Sequence, residues 1–443
     1  MKLWQKDKTA LKEVERFTVG NDRELDTCLA PFDVLGSLAH IQMLGSVGLL
    51  TPQELTLLQA ALKDMYKQIT EGKFELEEGV EDVHSQVELL LTRSLGDVGK
   101  KIHSARSRND QVLVDLKLYM RHEIERTVDH VQELFNLLIE LSEKHKEDLL
   151  PGYTHLQLAM PSSFGLWFGA YAESLADDLV TLEAAYKLVN RNPLGSAAGY
   201  GSSFPINRQQ TTDLLGFEAM NRNVVYAQMG RGKTERIVTS ALANIGATLS
   251  KLSMDCCLYM NQNFAFISFP EELTTGSSIM PHKKNPDVFE LIRSHGNRLQ
   301  ALPNEIMLMT ANLPSGYHRD LQLIKEHIIP AFENLQDCLR MTTFMLRQVS
   351  VKKNILQDEK YAALFSVEEV NKLVLQGMPF RDAYKKVGAD IASGNFKPGT
   401  VIHHTHEGSI GNPGNEAIRR YMEDIIQNFN FNAVKIALQQ LLS

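Results

Sequence analysis

Cysteine and long apolar runs are both scarce in this sequence. Its 443 residues include 4 cysteines, too few for a secreted protein that is stabilised by disulfides. No two of them are separated by two residues, the spacing typical of zinc or redox motifs. No apolar run reaches the ~18 residues that suggest a membrane-spanning helix. The sequence therefore predicts a cytoplasmic protein in a reducing compartment, without a membrane anchor.

Positive charge is also in deficit. The chain carries 46 Lys and Arg against 54 Asp and Glu, a net charge of −8. A nucleic-acid-binding protein needs a clustered excess of Lys and Arg, so no nucleic-acid partner is expected. With 43% apolar residues, the chain can bury a large core. Any anionic ligand must be held by a local basic site.

Glycine and proline are missing from one long stretch, between Asn109 and Pro151. Both residues break helix interiors, and apolar residues recur there at spacings of three and four, which predicts one helix of about 38 residues, roughly 57 Å long. So long a helix needs long partners. Residues 163–190, 233–263 and 319–351 supply them, with 287–302 as a shorter fifth helix.

The pattern predicts an all-α fold of three domains. These are an N-terminal helical domain over residues 1–106, a central long-helix bundle over 107–352 and a C-terminal helical domain over 353–443. Strand-like alternation is almost absent, apart from short stretches such as 264–269.

Apolar residues occupy several faces of the longest predicted helix, and we expect that they cannot all face one core. They are Leu134, Phe135, Leu137, Leu138, Ile139 and Leu141. Self-association would cover the surplus, and a thick monomeric bundle is the alternative.

Residues 276–286, which read GSSIMPHKKNP, join two predicted helices. Glycine and serine allow backbone N–H groups to turn toward a ligand, and Lys and Asn supply donors suited to a carboxylate. Taken alone, this segment is either a flexible anion-binding loop or a solvated connector.

That string resembles the G-S-S-x-M-P-x-K-x-N signature of the fumarase and aspartase superfamily. Residues 103–112 (HSARSRNDQV) and 151–157 (PGYTHLQ) are similar to two further blocks of the argininosuccinate lyases, and residues 81–84 and 317–325 resemble two more. Adenylosuccinate lyase and fumarase share the loop but lack the RSRND block. By this resemblance the chain is identified as a member of the argininosuccinate lyase family.

The resemblance implies a fold, a reaction and an assembly. The fold is the three-domain fumarase/aspartase type, whose long helices form a 20-helix core in a homotetramer. The reaction is the reversible β-elimination of argininosuccinate to arginine and fumarate in arginine biosynthesis, without a metal or cofactor. Each active site takes its sequence blocks from three subunits, which fits blocks that lie at different ends of long helices.

The resemblance also implies residue roles. Ser277 is the general base, His155 is the acid, directly or through water, and Glu290 pairs with that histidine. Lys283 and preorganised N–H donors stabilise the charge that gathers on the substrate carboxylate. The implied substrate-binding residues are Ser107, Asn109, Thr154 and Asn285 for the fumarate half, Tyr317, Gln322 and Lys325 for the amino-acid half, and Arg108, Asp82 and His84 nearby.

Three departures from the family pattern leave questions open. Residues 158–161 read LAMP where the family has Arg-Ala-Gln-Pro, so Leu158 and Met160 replace polar residues behind His155. Asp22 stands where the family places a substrate-contacting serine, unless the register shifts. No role is transferred to Arg231, because the family's S-D-R-D-F block is missing.

Two alternatives remain at this level: a lyase for another succinyl compound, such as adenylosuccinate, and a catalytically retired structural protein on the same scaffold. The histidines of residues 403–407 (HHTHE) raise a metal site as a further alternative, but their spacing fits no standard zinc motif and favours a polar turn.

Overall fold

The computed structural model describes residues 12–443; the first eleven residues of the predicted N-terminal domain lie outside the described residues. Eighteen α-helices form within that range. They are α1 (Lys12–Val19), α2 (Asp22–Thr27), α3 (Ala30–Ser46), α4 (Pro52–Thr70), α5 (Val83–Leu95), α6 (Asp97–Lys100), α7 (Arg108–Lys144), α8 (Phe164–Val189), α9 (Arg208–Leu214), α10 (Val224–Met229), α11 (Lys233–Met260), α12 (Asp287–Leu299), α13 (Leu302–Met309), α14 (Lys325–Leu346), α15 (Ser366–Leu375), α16 (Phe380–Ala392), α17 (Asn415–Asn428) and α18 (Phe431–Leu442).

Four long helices were predicted, and each is present near its predicted position. α7 has 37 residues, α8 has 26, α11 has 28 and α14 has 22. The last prediction began too early, because residues Arg319–Ile324 form a 3-10 helix and the α-helix starts at Lys325. The predicted all-α class is confirmed in its coarse form: the described chain is mainly helical with a few short strands.

The longest helix, α7, is covered on several sides within one chain. α8, α14 and α17 all pack against it. Leu134, Leu138 and Ile139 have no exposed area, and Phe135 is 2% exposed. The expectation that these residues could not share a single-chain core was therefore wrong, because neighbouring helices reach different faces of α7. Only Leu137 of the six stays partly exposed.

Three smaller hydrophobic clusters lie outside this central core, and two of them involve helices near the ends of the chain. One packs α3, α4 and α5 together, and α18 from the far end of the chain contributes Leu441 to it. The other joins α15 and α16 through Val370, Ala383 and Val387. Among the described helices, none combines the length and apolar character needed to span a bilayer.

Short strands form three two-stranded sheets within the described residues. β1 (Leu149–Thr154) pairs antiparallel with β2 (Gln157–Ser163), β3 (Arg191–Asn192) pairs parallel with β4 (Ala219–Met220), and β5 (Ile267–Ser268) pairs antiparallel with β6 (Ser350–Val351). Of the strand-like stretch at 264–269, only β5 is a strand. The β1–β2 hairpin was missed, because Pro151 and Pro161 lie inside its strands and prolines argue against strand pairing.

Candidate active site

The N-terminus of α7 fixes three predicted substrate-binding residues, Ser107, Arg108 and Asn109. Ser107 precedes the helix, and its hydroxyl accepts the backbone N–H of Asn109 at 3.3 Å. The carboxylate of Asp110 accepts the backbone N–H of Ser107 at 2.9 Å, so the two residues close the helix start reciprocally. Arg108 and Asn109 are thereby held at a helix end whose partial positive charge favours anions.

A cavity of about 250 Å³ lies beside this helix start. Among its lining residues are seven of those implied by the family resemblance: Asp82, His84, Arg108, Asn109, Tyr317, Gln322 and Lys325. One chain therefore brings together all three residues predicted to bind the amino-acid half of the substrate, Tyr317, Gln322 and Lys325. It places them beside predicted site residues at the starts of α5 and α7.

Arg108 is held by the acidic residues that precede α5. Its Nη1 lies 3.0 Å from Oε2 of Glu81 and 3.2 Å from Oδ2 of Asp82. Asp82 also caps α5 by accepting the backbone N–H of Ser85 at 2.8 Å. Burial would raise the pKa of Asp82, but the charges of His84 and Arg108 outweigh it and hold that pKa below its usual value. The carboxylate is therefore charged beside the cavity.

Lys325 begins α14 and is held by two carboxylates. Its Nζ lies 2.6 Å from Oδ1 of Asp22 and 2.5 Å from Oδ1 of Asp26. Burial would lower the pKa of Lys325, but the charges of Asp26 and Asp22 raise it above its ordinary value. The lysine is therefore a fixed cation in the wall of the cavity.

The end of α1 is held beside the same cavity by hydrogen bonds. Nε2 of Gln322 donates to the carbonyl of Thr18 at 3.0 Å, and Nη2 of Arg319 donates to the same carbonyl at 2.9 Å. Gln322, predicted from the sequence as a substrate ligand, thus also anchors the N-terminal segment that carries Asp22.

His84 belongs to a buried group of charges behind the cavity. Its Nδ1 lies 2.8 Å from Oδ1 of Asp33 and 3.4 Å from Oδ2 of Asp115. Burial would lower the pKa of His84, but the carboxylates of Asp33 and Asp115 raise it to about 10. The imidazole is therefore protonated and lies between two buried carboxyl groups.

The same three residues are the set within the described chain whose donor atoms could hold a metal ion, since these atoms all lie within 4.8 Å of one another. The fit is poor, because His84 is kept protonated by its neighbours and the positive charge of Arg106 also acts on Asp33 and Asp115. A buried ion-pair cluster accounts for the arrangement. Arg106 donates to Ser37 Oγ at 3.0 Å and does not line the cavity.

The histidine-rich segment near the C-terminus forms a local contact. Nδ1 of His404 lies 2.7 Å from Oγ of Ser409, and its Nε2 lies 3.1 Å from Oε1 of Glu368. These contacts tie the segment to α15.

The predicted acid, His155, lies at the tip of the β1–β2 hairpin. Thr154 pairs with Gln157, which leaves His155 and Leu156 as the two-residue turn. Their φ angles are 54° and 60°, the left-handed region that a tight hairpin turn of this kind requires. His155 is exposed in the single chain, and so is its neighbour Thr154. The hairpin therefore presents both residues away from the chain's own core.

The predicted base, Ser277, lies in an exposed loop whose base is closed by backbone pairing. Asn285 donates its N–H to the carbonyl of Thr275 at 2.8 Å, and its side-chain Nδ2 donates to the carbonyl of Gly276 at 3.3 Å. Oγ of Ser277 accepts the backbone N–H of Met280 at 3.2 Å and that of Ile279 at 3.4 Å. These N–H donors favour negative charge on the serine oxygen.

Lys283 and Glu290 flank the end of that loop and are exposed in the single chain. Glu290 lies in the first turn of α12. Within the described part of one chain, no ion pair joins Glu290 to His155, and neither His155 nor Ser277 lines the cavity beside Lys325. The structure thus separates the predicted residues into three places: the cavity, the hairpin tip and the loop.

Sequence reasoning missed part of the cavity. Asp26, Glu81 and Arg231 line it, and no function had been assigned to any of them. The spacing of Asp22 and Asp26 offered a signal, since residues four apart on a helix share a face. The fold alone brings Arg231 to the cavity, from the turn that precedes α11.

Comparisons with known proteins show which family the chain resembles as a whole. A family model described as Lyase matches residues 7–300. The chain is 62% identical over 441 residues to an argininosuccinate lyase of Bacteroides fragilis, covering 100% of this chain and 99% of that protein. It is 63% identical, with the same coverage, to an argininosuccinate lyase of Parabacteroides distasonis. A solved structure of an EDDS lyase variant with bound fumarate has the same fold, with a TM-score of 0.75 and 21% identity over 94% of this chain and 91% of that one.

Proposed function

The chain belongs to the argininosuccinate lyase family, which makes it a carbon–nitrogen lyase, and we propose that it carries out the family reaction with the three groups of residues described above. That reaction is the reversible elimination of fumarate from argininosuccinate, which leaves arginine. The observation that carries the proposal is the cavity, which gathers Tyr317, Gln322 and Lys325 beside Arg108 and Asn109.

Proton removal is the difficult step, and we assign it to Ser277. Its oxygen takes the proton from the carbon next to a carboxylate, and the electron pair left on that carbon spreads into the carboxylate. Backbone N–H groups already point at the Ser277 oxygen, which supports its deprotonation. Lys283 and Asn285 belong to the same closed loop and are suited to hold the doubly charged carboxylate.

We assign the second step to His155. The electron pair held by the carboxylate returns to form the carbon–carbon double bond of fumarate as the carbon–nitrogen bond breaks. The pair of that broken bond moves to the guanidine nitrogen, and His155 gives that nitrogen a proton directly or through a water. Glu290 orients the imidazole and favours its charged form. Thr154, next to the histidine, Ser107 and Asn109 hold the carboxylates of the fumarate half.

The three groups meet when subunits assemble into a homotetramer with a bundle of central helices. Support comes from apolar side chains left exposed along the central helices of one chain: Val180 on α8, Met254 on α11, Leu291 on α12, Leu308 on α13, and Met341 and Phe344 on α14. Leu158 and Met160, where the chain departs from the family pattern, are 41% and 39% exposed on β2. Neighbouring subunits would cover these surfaces and complete each site from three chains.

We also propose the division into domains over residues 1–106, 107–352 and 353–443, and a cytoplasmic role in arginine biosynthesis. The separate clusters of α3–α5 and of α15–α16 support the two end domains. The C-terminal domain is not fully separate from the rest of the chain, because α18 packs on α3 and α9.

The test is a spectrophotometric assay of fumarate release by the purified protein, with argininosuccinate and adenylosuccinate supplied separately. We expect fumarate from argininosuccinate alone, and loss of that activity in Ser277→Ala. Release from adenylosuccinate instead would assign the chain to another substrate. If a folded tetramer releases fumarate from neither substrate, the chain is a structural protein that has lost the catalytic activity.

A further inference from the structure

A second cavity lies apart from the one that we assign to the substrate. It has a volume of about 590 Å³, and residues of α3, α4, α7, α8 and α18 line it. The two cavities share no lining residue. Ligand pockets in proteins usually measure roughly 300–1,000 Å³, so this space is large enough for a small organic molecule.

Arg121 of α7 is a buried cation that no carboxylate of the described chain contacts. It lines this cavity and is 3% exposed. Its Nη1 donates to Oδ1 of Asn190 and to the carbonyl of Gly216, both at 3.1 Å, and its Nη2 donates to the carbonyl of Leu215 at 2.8 Å. These acceptors are uncharged, and Nε has no hydrogen-bond partner among the described residues. A buried charge is normally paired with an opposite one, so this guanidinium is suited to an anionic ligand.

A tyrosine hydroxyl of the same cavity also lacks a partner. Tyr186 of α8 is 2% exposed, and its Oη makes no hydrogen bond within residues 12–443. The ring packs against Phe429 and Phe431, with centroids 5.4 and 5.2 Å apart, which holds the side chain in place. Burial raises the pKa of Tyr186 to about 12, although the charge of Arg121 acts in the other direction. The hydroxyl is therefore protonated, and a ligand oxygen that accepts from it gains affinity.

Other charged residues of the cavity are paired or lie further along α7. Glu125 is one turn beyond Arg121, and its Oε1 lies 2.5 Å from Nζ of Lys435 on α18. Arg126 pairs at 3.0 Å with a carboxylate of its own helix. Asp129 is exposed and lies two turns beyond Arg121, roughly 12 Å along the helix. The positive charge left for a ligand is therefore that of Arg121.

The cavity wall is apolar on the other side of Arg121. Leu118 precedes Arg121 by one turn of α7 and belongs to the hydrophobic cluster of α3, α4 and α5. Further cavity residues lie in that cluster or pack against it: Phe32, Leu35, Tyr66, Leu438 and Leu442. An apolar chain placed along this wall would be removed from water, which favours binding.

We propose that this cavity binds a small monocarboxylate with an apolar tail, such as a medium-chain fatty acid. The carboxylate accepts from Nε of Arg121 and from Oη of Tyr186, and the tail lies along the wall around Leu118. A small anion without a tail would leave that wall in water, and a neutral apolar molecule would leave the charge of Arg121 uncompensated. The site is separate from the proposed lyase reaction and does not depend on it.

Calorimetric titration of the full purified protein tests this with three probes, each below the concentration at which it forms micelles. They are decanoate, butyrate, which has the same head group and a shorter tail, and decyltrimethylammonium, which has the same tail and the opposite charge. We expect decanoate to bind at least about 10-fold more tightly than either of the others. Decanoate should also raise the midpoint of thermal unfolding, because it binds the folded chain between α3, α7 and α18.

Three variants locate the binding. Tyr186→Phe removes a hydroxyl that has no partner in the described chain, so it should keep the thermal stability and weaken decanoate binding by about 5- to 10-fold. Leu438→Trp fills the apolar end of the cavity and should abolish binding. Ile436→Trp is its matched control, because Ile436 is 46% exposed on the same helix and does not line the cavity.

Thermal unfolding without ligand shows whether each variant is folded. Equal binding of decanoate and decyltrimethylammonium would overturn the proposal, since the protein would then offer only an apolar surface without a site for the carboxylate. Decanoate binding that stays unchanged in both Tyr186→Phe and Leu438→Trp would overturn it as well, because the ligand would then lie elsewhere.

Discussion

Nδ1 of His84 lies 2.8 Å from Oδ1 of Asp33, and both side chains are almost completely buried. Asp115 approaches the same ring nitrogen at 3.4 Å. One protonated imidazole thus lies between two carboxyl groups in the wall between α3, α5 and α7, directly behind the cavity that we assign to the substrate. Burial and the charge of Asp33 raise the pKa of Asp115 well above its usual value, so the ion pair with Asp33 dominates.

Replacing His84 with Asn should destabilise the fold by about 3–5 kcal/mol at neutral pH, because the buried carboxylate of Asp33 loses the cation that it contacts. Urea unfolding of the tetramer measures this. His103→Asn is the matched control: its side chain is 40% exposed, it pairs only loosely with Glu88, and we expect a change within about 0.5 kcal/mol.

The loss of stability caused by His84→Asn should become smaller as the pH rises. The pKa of His84 is raised from 6.5 to about 10 in the folded state. Its stabilising contribution is therefore complete below about pH 6.5 and declines as the pH rises toward 10. The difference in stability between wild type and His84→Asn should narrow over this range; a difference that widens would contradict the ion-pair assignment.

The contribution of Lys117 to folding stability should change with pH in the opposite direction. Its Nζ donates to the carbonyl of Arg191 at 2.8 Å and to Oδ1 of Asn221 at 3.0 Å. Burial lowers its pKa to about 7, although the charge of Glu235 acts in the other direction. Above that pH the unfolded state binds more protons, so stability relative to Lys117→Met should rise between pH 7 and about 10. A flat difference in urea midpoints would show that the lysine stays charged.

The two loop serines separate catalysis from loop structure. Ser277→Ala should lower kcat by at least about 10²–10⁴-fold, the usual contribution of a general base, with little change in thermal stability. Ser278→Ala removes the neighbouring hydroxyl from the same loop and should cost far less. Similar losses in both variants, measured by initial rates, would mean that the loop conformation rather than the Ser277 oxygen matters.

Mixed tetramers test the sharing of sites between subunits. When Ser277→Ala and His155→Ala subunits are unfolded together and reassembled at equal ratio, some sites receive both intact residues from different chains. Random assortment predicts recovery of roughly one quarter of wild-type activity. Reassembly of each variant alone is the control. Complete inactivity of well-mixed tetramers would place both residues of a site in one chain.

Much of the helical architecture could be read from the sequence, because proline and glycine mark where long helices end. The start of α7 illustrates this: the Ser107–Asp110 capping pair is local in sequence and also local in space. The start of α14 was harder, since the turn at Arg319–Ile324 has the same apolar spacing as the helix that follows it.

Sequence motifs predicted several residues that the fold brings to one cavity, but they did not predict the electrostatics of that cavity. Tyr317, Gln322 and Lys325 lie within nine residues of one another, so a motif could capture them. The partners of Lys325 come from α2, about 300 residues away along the chain, and only folding brings them together. The burial of the apolar residues of α7 was misjudged for the same reason, because the sequence does not show how many helices surround a given one.

The hairpin tip has a consequence for engineering. His155 and Leu156 adopt left-handed backbone conformations that glycine or asparagine adopt at lower cost, by roughly 1 kcal/mol per residue. A design procedure that scores stability alone would therefore replace this pair with Asn-Gly and discard the proposed proton donor in the process. Thermostable variants of this enzyme should instead keep residue 155 fixed and seek their gains at Leu156, whose side chain is 81% exposed in the single chain.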